Sequence, residues 1–296
     1  MTGPQNGSAQ TTDRSVKIDA GRVAAALTAE SGVPLLVEGP CPGGQVGAAY
    51  VRWPDGRRGV LTWRPGISLS QARDGPLAVA AALRATGYPA PATELTAQIS
   101  DGVAVVQELL PGTGVRHVDL DLLNQALRLN TRHAAALAGH PGVPPFRLYL
   151  RGDGPGYCLH GPLRRFSPRA ADLERRIAAV GREHPGQFAA DDAVHGDFHH
   201  ENLLARDGRL TGVVDWDGAG RGDRRFDLVT LRFGLRPGNS TAAARARLDT
   251  ILDTLPAEVL RPAWAHMSLR MADWATRHFD PADVPYWLEF ADQRLP

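Results

Sequence analysis

The chain reads as an α+β protein of two lobes, a small antiparallel sheet followed by a larger, mainly helical region. Three features predict this. Between Pro34 and Leu109, short runs rich in Val, Leu and aromatic residues are separated by turn-forming groups such as Pro54-Asp55-Gly56 and Asp101-Gly102, the pattern of hairpin-linked strands. Beyond Pro111 the apolar residues recur at helical spacing over long stretches. Within that helical half, Leu203-Leu204 and Gly212-Val213-Val214 flank the turn Asp207-Gly208, which predicts one further hairpin.

In order along the chain, residues 1–16 carry Gly, Gln, Ser and Thr without periodicity and read as a disordered tail. A helix is expected from Ile18 to Ala29, capped by Asp19. Strands follow at Pro34 to Glu38, Ala48 to Trp53 and Gly59 to Trp63, the first two joined by the glycine-rich loop Gly39 to Gly47. Residues 76–86 are Ala- and Leu-rich and end at Gly87 and Tyr88-Pro89, which reads as a helix with its stop. Leu95 to Ile99 and Val103 to Leu109 complete the sheet, and the lobe boundary is expected near residue 111, giving lobes of 17–111 and 112–296. The second lobe is expected to hold helices at Val118 to Ala138, Ala170 to Arg182, Asp227 to Leu235, Thr241 to Thr254, Ala257 to His278 and Val284 to Gln293.

Composition narrows the function classes. A net charge of +1 with 22% charged residues gives no bulk attraction to nucleic acid or membrane. The basic residues are almost all arginine, Lys17 being the only lysine. Cys41 and Cys158 make no disulfide framework, which fits a reducing cytoplasm. The first residues lack the apolar core of a signal peptide, and no run approaches the ~18 apolar residues of a membrane span. A soluble, cytoplasmic protein is the expectation.

The chemistry concentrates in His195-Gly196-Asp197-Phe198-His199-His200-Glu201-Asn202, followed by Asp215 at the end of the second run of the hairpin. Asp197 and Asn202 are five positions apart. Two carboxylates and an amide oxygen at one end of a small sheet suit Mg²⁺, which takes one or two carboxylates and completes its shell with water and substrate phosphates. With Asn202 and Asp215 on the metal, the remaining carboxylate, Asp197, is free to accept a proton from a hydroxyl, which completes the minimal kit for moving a phosphoryl group.

The run His195-x-Asp197-x-x-x-x-Asn202, then Asp215, then Gly222-Asp223-x-x-x-Asp227-Leu228, resembles the aminoglycoside phosphotransferase and choline kinase-like family. These are small-molecule kinases with a protein-kinase-like fold. The match is dense from Val194 to Leu231 and continuous from about Val33 onward. The resemblance implies Asp197 as catalytic base and Asn202 and Asp215 as Mg²⁺ ligands. It also implies support from His195 under the loop and from Asp227, accepting backbone hydrogen bonds. It further implies a nucleotide site in which Gly43, Gly44 and Gln45 cover the phosphates of ATP or GTP and the hinge Gln107-Glu108-Leu109 faces the adenine. The partners implied are a nucleotide and a hydroxyl-bearing small molecule, with the enzyme a monomer or homodimer.

One departure stands out. Kinase-like folds carry a lysine on the third strand, paired with a glutamate on the next helix. Here Thr62 stands at that position and Pro76 to Leu83 holds no Glu. Arg64, on the same strand face, is the expected substitute, with Arg52 a second candidate and nucleotide affinity from backbone and metal contacts alone a third reading.

For the acceptor, the C-terminal helices offer Asp249, Asp253, Asp273, Asp280, Asp283, Glu289 and Asp292 among aromatic residues. His200, Glu201, Asp273 and Trp274 are the expected substrate contacts, and Trp264 and Trp274, at helical spacing, also read as core. An antibiotic or related natural product is the first expected acceptor and a metabolite such as an amino alcohol or sugar the second. Two other readings remain: a non-catalytic pseudokinase, and a metal-dependent hydrolase using His195, Asp197, His199 and His200.

Overall fold

The structure is a computed structural model, and it describes residues 18–42 and 47–295. The tail 1–16 and the loop residues Gly43, Gly44 and Gln45 lie outside the described residues.

Helix α1 (Ala20–Ser31) opens where the Asp19 carboxylate accepts the Arg22 N–H and closes at Gly32, whose φ of 72° lets the chain leave the helix. Strands β1 (Leu36–Pro40), β2 (Ala49–Arg52) and β3 (Arg58–Pro65) follow, then helices α2 (Leu69–Asp74) and α3 (Pro76–Ala85), then β4 (Thr93–Ile99) and β5 (Gly102–Glu108). The strands form one antiparallel sheet in the order β1-β2-β3-β5-β4. Alternation across β5 puts Ala104 and Val106 against Val23 and Leu27 of α1, and Val103 and Val105 against Ala72 and Leu77 of α2 and α3. Both faces are therefore covered, which is why β5 reads in sequence as an unbroken apolar run.

The second region holds β6 (Thr113–Gly114), α4 (Leu120–Thr131), α5 (His160–Phe166), α6 (Pro168–Glu183), β7 (Asp192–Val194), β8 (Leu203–Arg206), β9 (Arg209–Val213) and β10 (Gly220–Gly222). Helices α7 (Phe226–Gly234), α8 (Ala242–Asp253), α9 (Ala257–His278) and α10 (Val284–Asp292) complete it. Helix α4 stops short of Ala138 because tertiary partners take over its backbone. The Leu137 N–H goes to the Asp191 carbonyl, and the His133 carbonyl accepts from Ala193. Among the described residues, no helix is long and apolar enough to cross a membrane.

Helix α3 is shared between the two regions. Its Val79, Ala80 and Leu83, with Tyr88 after it, pack in the same core as Val213 and Trp216. The Val213 N–H donates to the Pro89 carbonyl at 2.8 Å, tying β9 to the end of the small sheet's connecting segment. This junction fixes the hairpin β8–β9 relative to the sheet, and so positions what the hairpin carries.

Candidate active site

The site begins at a forced turn. After β7 the backbone reverses at Gly196 with φ 79°. A Cβ there would sit 2.6 Å from the Phe146 ring and 2.9 Å from the Gly218 carbonyl, so only glycine fits. Asp227, in the first turn of α7 and fully buried, reaches under this turn. Its Oδ2 accepts the His195 N–H and its Oδ1 the Gly196 N–H, each at 2.9 Å. Two backbone donors that the turn would otherwise bury unpaired are thereby satisfied.

His195 is buried, and burial pushes its pKa down to about 4. The imidazole is neutral, and its partners fix the tautomer. Nδ1 accepts the Asp197 N–H at 3.2 Å, so Nε2 carries the proton and donates to the Val214 carbonyl at 3.0 Å. One histidine thus connects the backbone of Asp197 to the strand end that presents Asp215. Phe198 and Trp216, both inaccessible to solvent, anchor the two segments in the core. The Trp216 Nε1–H donates to the Val213 carbonyl.

Asp197 has Arg270 and His199 beside it. Arg270 of α9 contacts its Oδ1 through Nη2 at 2.8 Å and donates from Nη1 to the Gly196 carbonyl at 2.8 Å. His199 Nε2 lies 3.6 Å from the same oxygen. Burial pushes the Asp197 carboxyl up, but Arg270 and His199 outweigh it and hold the group well below the usual carboxylate range. Burial likewise pulls His199 down, and the Asp197 carboxylate more than reverses this. The Asp197 carboxyl is ionised, with one oxygen engaged.

Asn202 ends a short 3₁₀ turn, His200–Asn202, and its Nδ2 donates to the Asp197 backbone carbonyl at 2.9 Å. Among the described residues its amide oxygen has no partner. The Asn202 backbone carbonyl accepts the Val214 N–H at 3.0 Å, which sets Asp215 beside it. Asp215 adopts a left-handed backbone with φ 65°, a conformation that costs a non-glycine residue of order 1 kcal/mol. Its carboxyl is pushed up to about 7, first by desolvation and then by the negative charges of Asp217 and Asp197, against the pull of His199 and Arg64. Asp215 is exposed to solvent, with the like charges of Asp217 and Asp197 crowded beside it. Such crowding is what a divalent cation relieves.

Arg64 is 4% exposed and pairs with Asp217 Oδ1 at 2.6 Å. Its Nε and Nη1 have no hydrogen-bond partner among the described residues. A guanidinium so deeply placed with two idle donors is unusual. Further along the sheet edge, Gln107 is buried. The Glu108 side chain pairs with Arg84 at 2.7 Å, and its N–H is taken by the Ala92 carbonyl.

The expected acceptor contacts come out differently. Asp273 is fully buried, accepts the Leu159 N–H and pairs twice with Arg277. It holds the 154–159 segment and does not line the cleft. His200 is also buried, with Nε2 against Asn239 Nδ2 at 3.2 Å, and burial pushes its pKa down to about 4. Glu201 is exposed, and Trp274 is half-buried and stacks on His278 with ring centroids 3.9 Å apart. Trp264, by contrast, is in the core. The four residues proposed for a hydrolase metal do not converge, since His195 and His200 turn to Val214 and Asn239. No cluster of three His, Cys, Asp or Glu residues that would hold a metal exists among the described residues.

Sequence reasoning missed Arg270 and Asp217 as parts of this centre, and named His199 only within the hydrolase reading. Arg270 has no spacing signal, lying 74 positions from the Gly196 it contacts. Asp217 and His199 were legible only as a turn residue and a member of a histidine run.

Comparison with known proteins comes from three directions. A model of the phosphotransferase enzyme family matches residues 39–283. A search of curated proteins returns no match. Among solved structures, a thermostable mutant of aminoglycoside phosphotransferase APH(4)-Ia, in ternary complex with AMP-PNP and hygromycin B, superposes with a TM-score of 0.61. The two are 17% identical, over 92% of this chain and 97% of that one. An aminoglycoside-3′-phosphotransferase of type VIII gives a TM-score of 0.52 at 21% identity, over 85% and 98%. Spectinomycin phosphotransferase APH(9)-Ia, with ADP and spectinomycin, gives 0.55 at 11% identity, over 93% and 94%. At these identities the solved structures speak to the fold alone, a small antiparallel sheet on a helical lobe.

Proposed function

The chain belongs to the phosphotransferase enzyme family, and from that premise we propose that it is a small-molecule kinase. It transfers the γ-phosphoryl group of ATP or GTP to a hydroxyl of an antibiotic or related natural product. The observation that carries this reading is the arrangement around Asp197. Its backbone carbonyl holds the Asn202 amide and its own N–H holds His195, which in turn reaches Val214 beside Asp215. The residues 17–111 would form the nucleotide lobe and 112–296 the catalytic lobe.

The donor set fits Mg²⁺. An amide oxygen without a partner and a carboxyl crowded by two other carboxylates are too few for an all-protein cage, and suit a cation shared with phosphates. Bound there by Asn202 and Asp215, Mg²⁺ would neutralise charge on the transferring phosphoryl group. Arg64 would turn its idle Nε and Nη1 to a phosphate oxygen, in the role that a third-strand lysine has elsewhere. Asp197, with Oδ1 fixed by Arg270, would use its other oxygen to orient the acceptor hydroxyl and take its proton. The new bond joins the acceptor oxygen to the γ-phosphorus as the bond to the β,γ-bridging oxygen breaks. A phosphate ester, a nucleoside diphosphate and a proton result. Most of the rate would come from positioning and charge stabilisation.

Thermal unfolding with and without nucleotide tests the reading. Mg-ATP should raise the melting temperature, and EDTA should remove the metal-dependent part of that rise. ADP release should then respond to an added hydroxyl compound. A protein stabilised by neither ATP nor GTP would refute it.

A further inference from the structure

Strand β3 carries a deeply placed cation whose expected partner is missing. Thr62 and Arg64 lie opposite Val105 and Val103 of β5, and those valines pack on Ala72 and Leu77. Residues directly opposite share a face of the sheet, so Thr62 and Arg64 stand on the side covered by α2 and α3. A carboxylate for Arg64 would be expected from those helices. Helix α3 contains none, and α2 has only Asp74, which is exposed.

The carboxylate comes instead from beyond β9. Asp217, two residues past Asp215, reaches Arg64 Nη2 with its Oδ1 at 2.6 Å. Its backbone is held on either side. Trp216 before it is fully buried, with its ring edge-on to Tyr88 at 5.8 Å. After it, the Ala219 N–H closes a turn on the Trp216 carbonyl at 2.9 Å. The guanidinium is therefore gripped at one nitrogen by a carboxylate whose place is set by the core. Its Nε and Nη1 are buried without a hydrogen-bond partner among the described residues, and so is the Thr62 Oγ1 on the same face. Buried polar atoms are rarely left so, and here they are grouped around a cation.

We propose that Asp217 is the positioning residue for Arg64, replacing the helix glutamate that pairs with the third-strand cation in kinase-like folds. It holds the guanidinium by Nη2 and leaves Nε and Nη1 to the nucleotide phosphates. This deepens the kinase reading above and rests on it. Helix α3, relieved of a charged role, packs Val79, Ala80 and Leu83 into the shared core. The phosphate cation and the proposed metal ligand Asp215 then depend on one three-residue segment anchored by Trp216.

Bare electrostatics predicts the opposite sign. Removing a negative charge from beside a triphosphate should tighten its binding, whereas losing the anchor of its cation should loosen it. The test is titration calorimetry with Mg-ATP on the parent, Asp217→Asn, Asp217→Glu, Arg64→Ala and the Asp217→Asn/Arg64→Ala double variant. Urea midpoints show that each is folded; Asp217 is exposed, so its substitution leaves the core alone. Asp217→Asn should weaken Mg-ATP by about tenfold, and Asp217→Glu, which keeps the carboxylate, should recover most of the loss. In the Arg64→Ala background, Asp217→Asn should cost nothing further, because the anchor has nothing left to hold. An Asn variant that binds Mg-ATP as tightly as the parent, or more tightly, overturns the proposal. An equal loss in both backgrounds overturns it too, since an independent role such as a second metal ligand would give that result. A parent that binds neither ATP nor GTP would remove the kinase reading itself and this inference with it.

Discussion

Removing the Asp227 carboxylate should unseat the loop that carries Asp197. The two oxygens of Asp227 accept the N–H groups of His195 and Gly196 at 2.9 Å, in a region closed to solvent. Each buried N–H left unpaired costs about 1–3 kcal/mol, so Asp227→Ala should lose about 2–6 kcal/mol. That is a large part of the about 5–15 kcal/mol that holds an ordinary domain folded. Asp227→Asn keeps one acceptor and turns an NH₂ group towards the other donor, and should lose roughly half as much. Urea unfolding followed by tryptophan fluorescence reads this directly, because the buried Trp216 ring lies 4.5 Å from the His195 ring. The midpoint should fall with an unchanged m-value. In the Asn variant, which stays folded, turnover should drop by about 10²-fold through misplacement of Asp197 on the order of 1 Å, with far less effect on Mg-ATP affinity. An Ala variant within about 1 kcal/mol of the parent would refute the reasoning, as would an Asn variant as damaged as the Ala one.

Arg64→Ala should weaken Mg-ATP binding by about 10–100-fold, the worth of charge-assisted hydrogen bonds from two donors; titration calorimetry giving an unchanged affinity would end its role at the phosphates. Asp197→Ala should cost about 10²–10⁴-fold in turnover while nucleotide binding stays normal. Gly196→Ala must push a methyl group against Phe146 and Gly218, and a variant with wild-type kcat would show that the turn is not the constraint we describe. Stability should also depend on pH through His266, whose pKa burial pushes down to about 3. Unfolded histidine titrates near ~6.5, so below that pH the unfolded chain binds a proton that the native state refuses. The contribution is complete above pH ~6.5 and falls by up to about 1.4 kcal/mol per unit as pH drops towards 3. His266→Gln, compared with the parent at pH 7.5 and 5 by urea midpoint, should show a shallower fall.

Much of the fold was legible because local signals agree with it. Asp19 caps α1, Asp207-Gly208 turns the β8–β9 hairpin with φ values of 51° and 73°, and α9 spans Ala257–His278 as its periodicity says. The short helices α2 and α5 escaped because six or seven residues do not complete two turns of apolar pattern. Ser68 and Gln71 do form a capping box, a signal that would have found α2. At the site, the run from His195 to Asp227 was legible because its residue types and order resemble a known family's, and the fold brings Asp197, Asn202 and Asp227 together by hydrogen bonds. Asp273 and His200 were misread as acceptor contacts because a polar side chain in a helix or loop looks exposed until its partners are known. Leu159 and Asn239, far away in sequence, and Arg277, one turn along the same helix, occupy them. Arg270 belongs to the same class, a contact that only the folded chain brings about.

Arg64 in the proposed role of the third-strand lysine would also change how this enzyme responds to chemistry from outside. Reagents that mark kinases by acylating a cleft amine need a neutral nitrogen nucleophile, and an arginine, protonated at every working pH, does not provide one. The sole lysine, Lys17, precedes the first helix. Covalent profiling built on amine capture would find no lysine to label among the described residues.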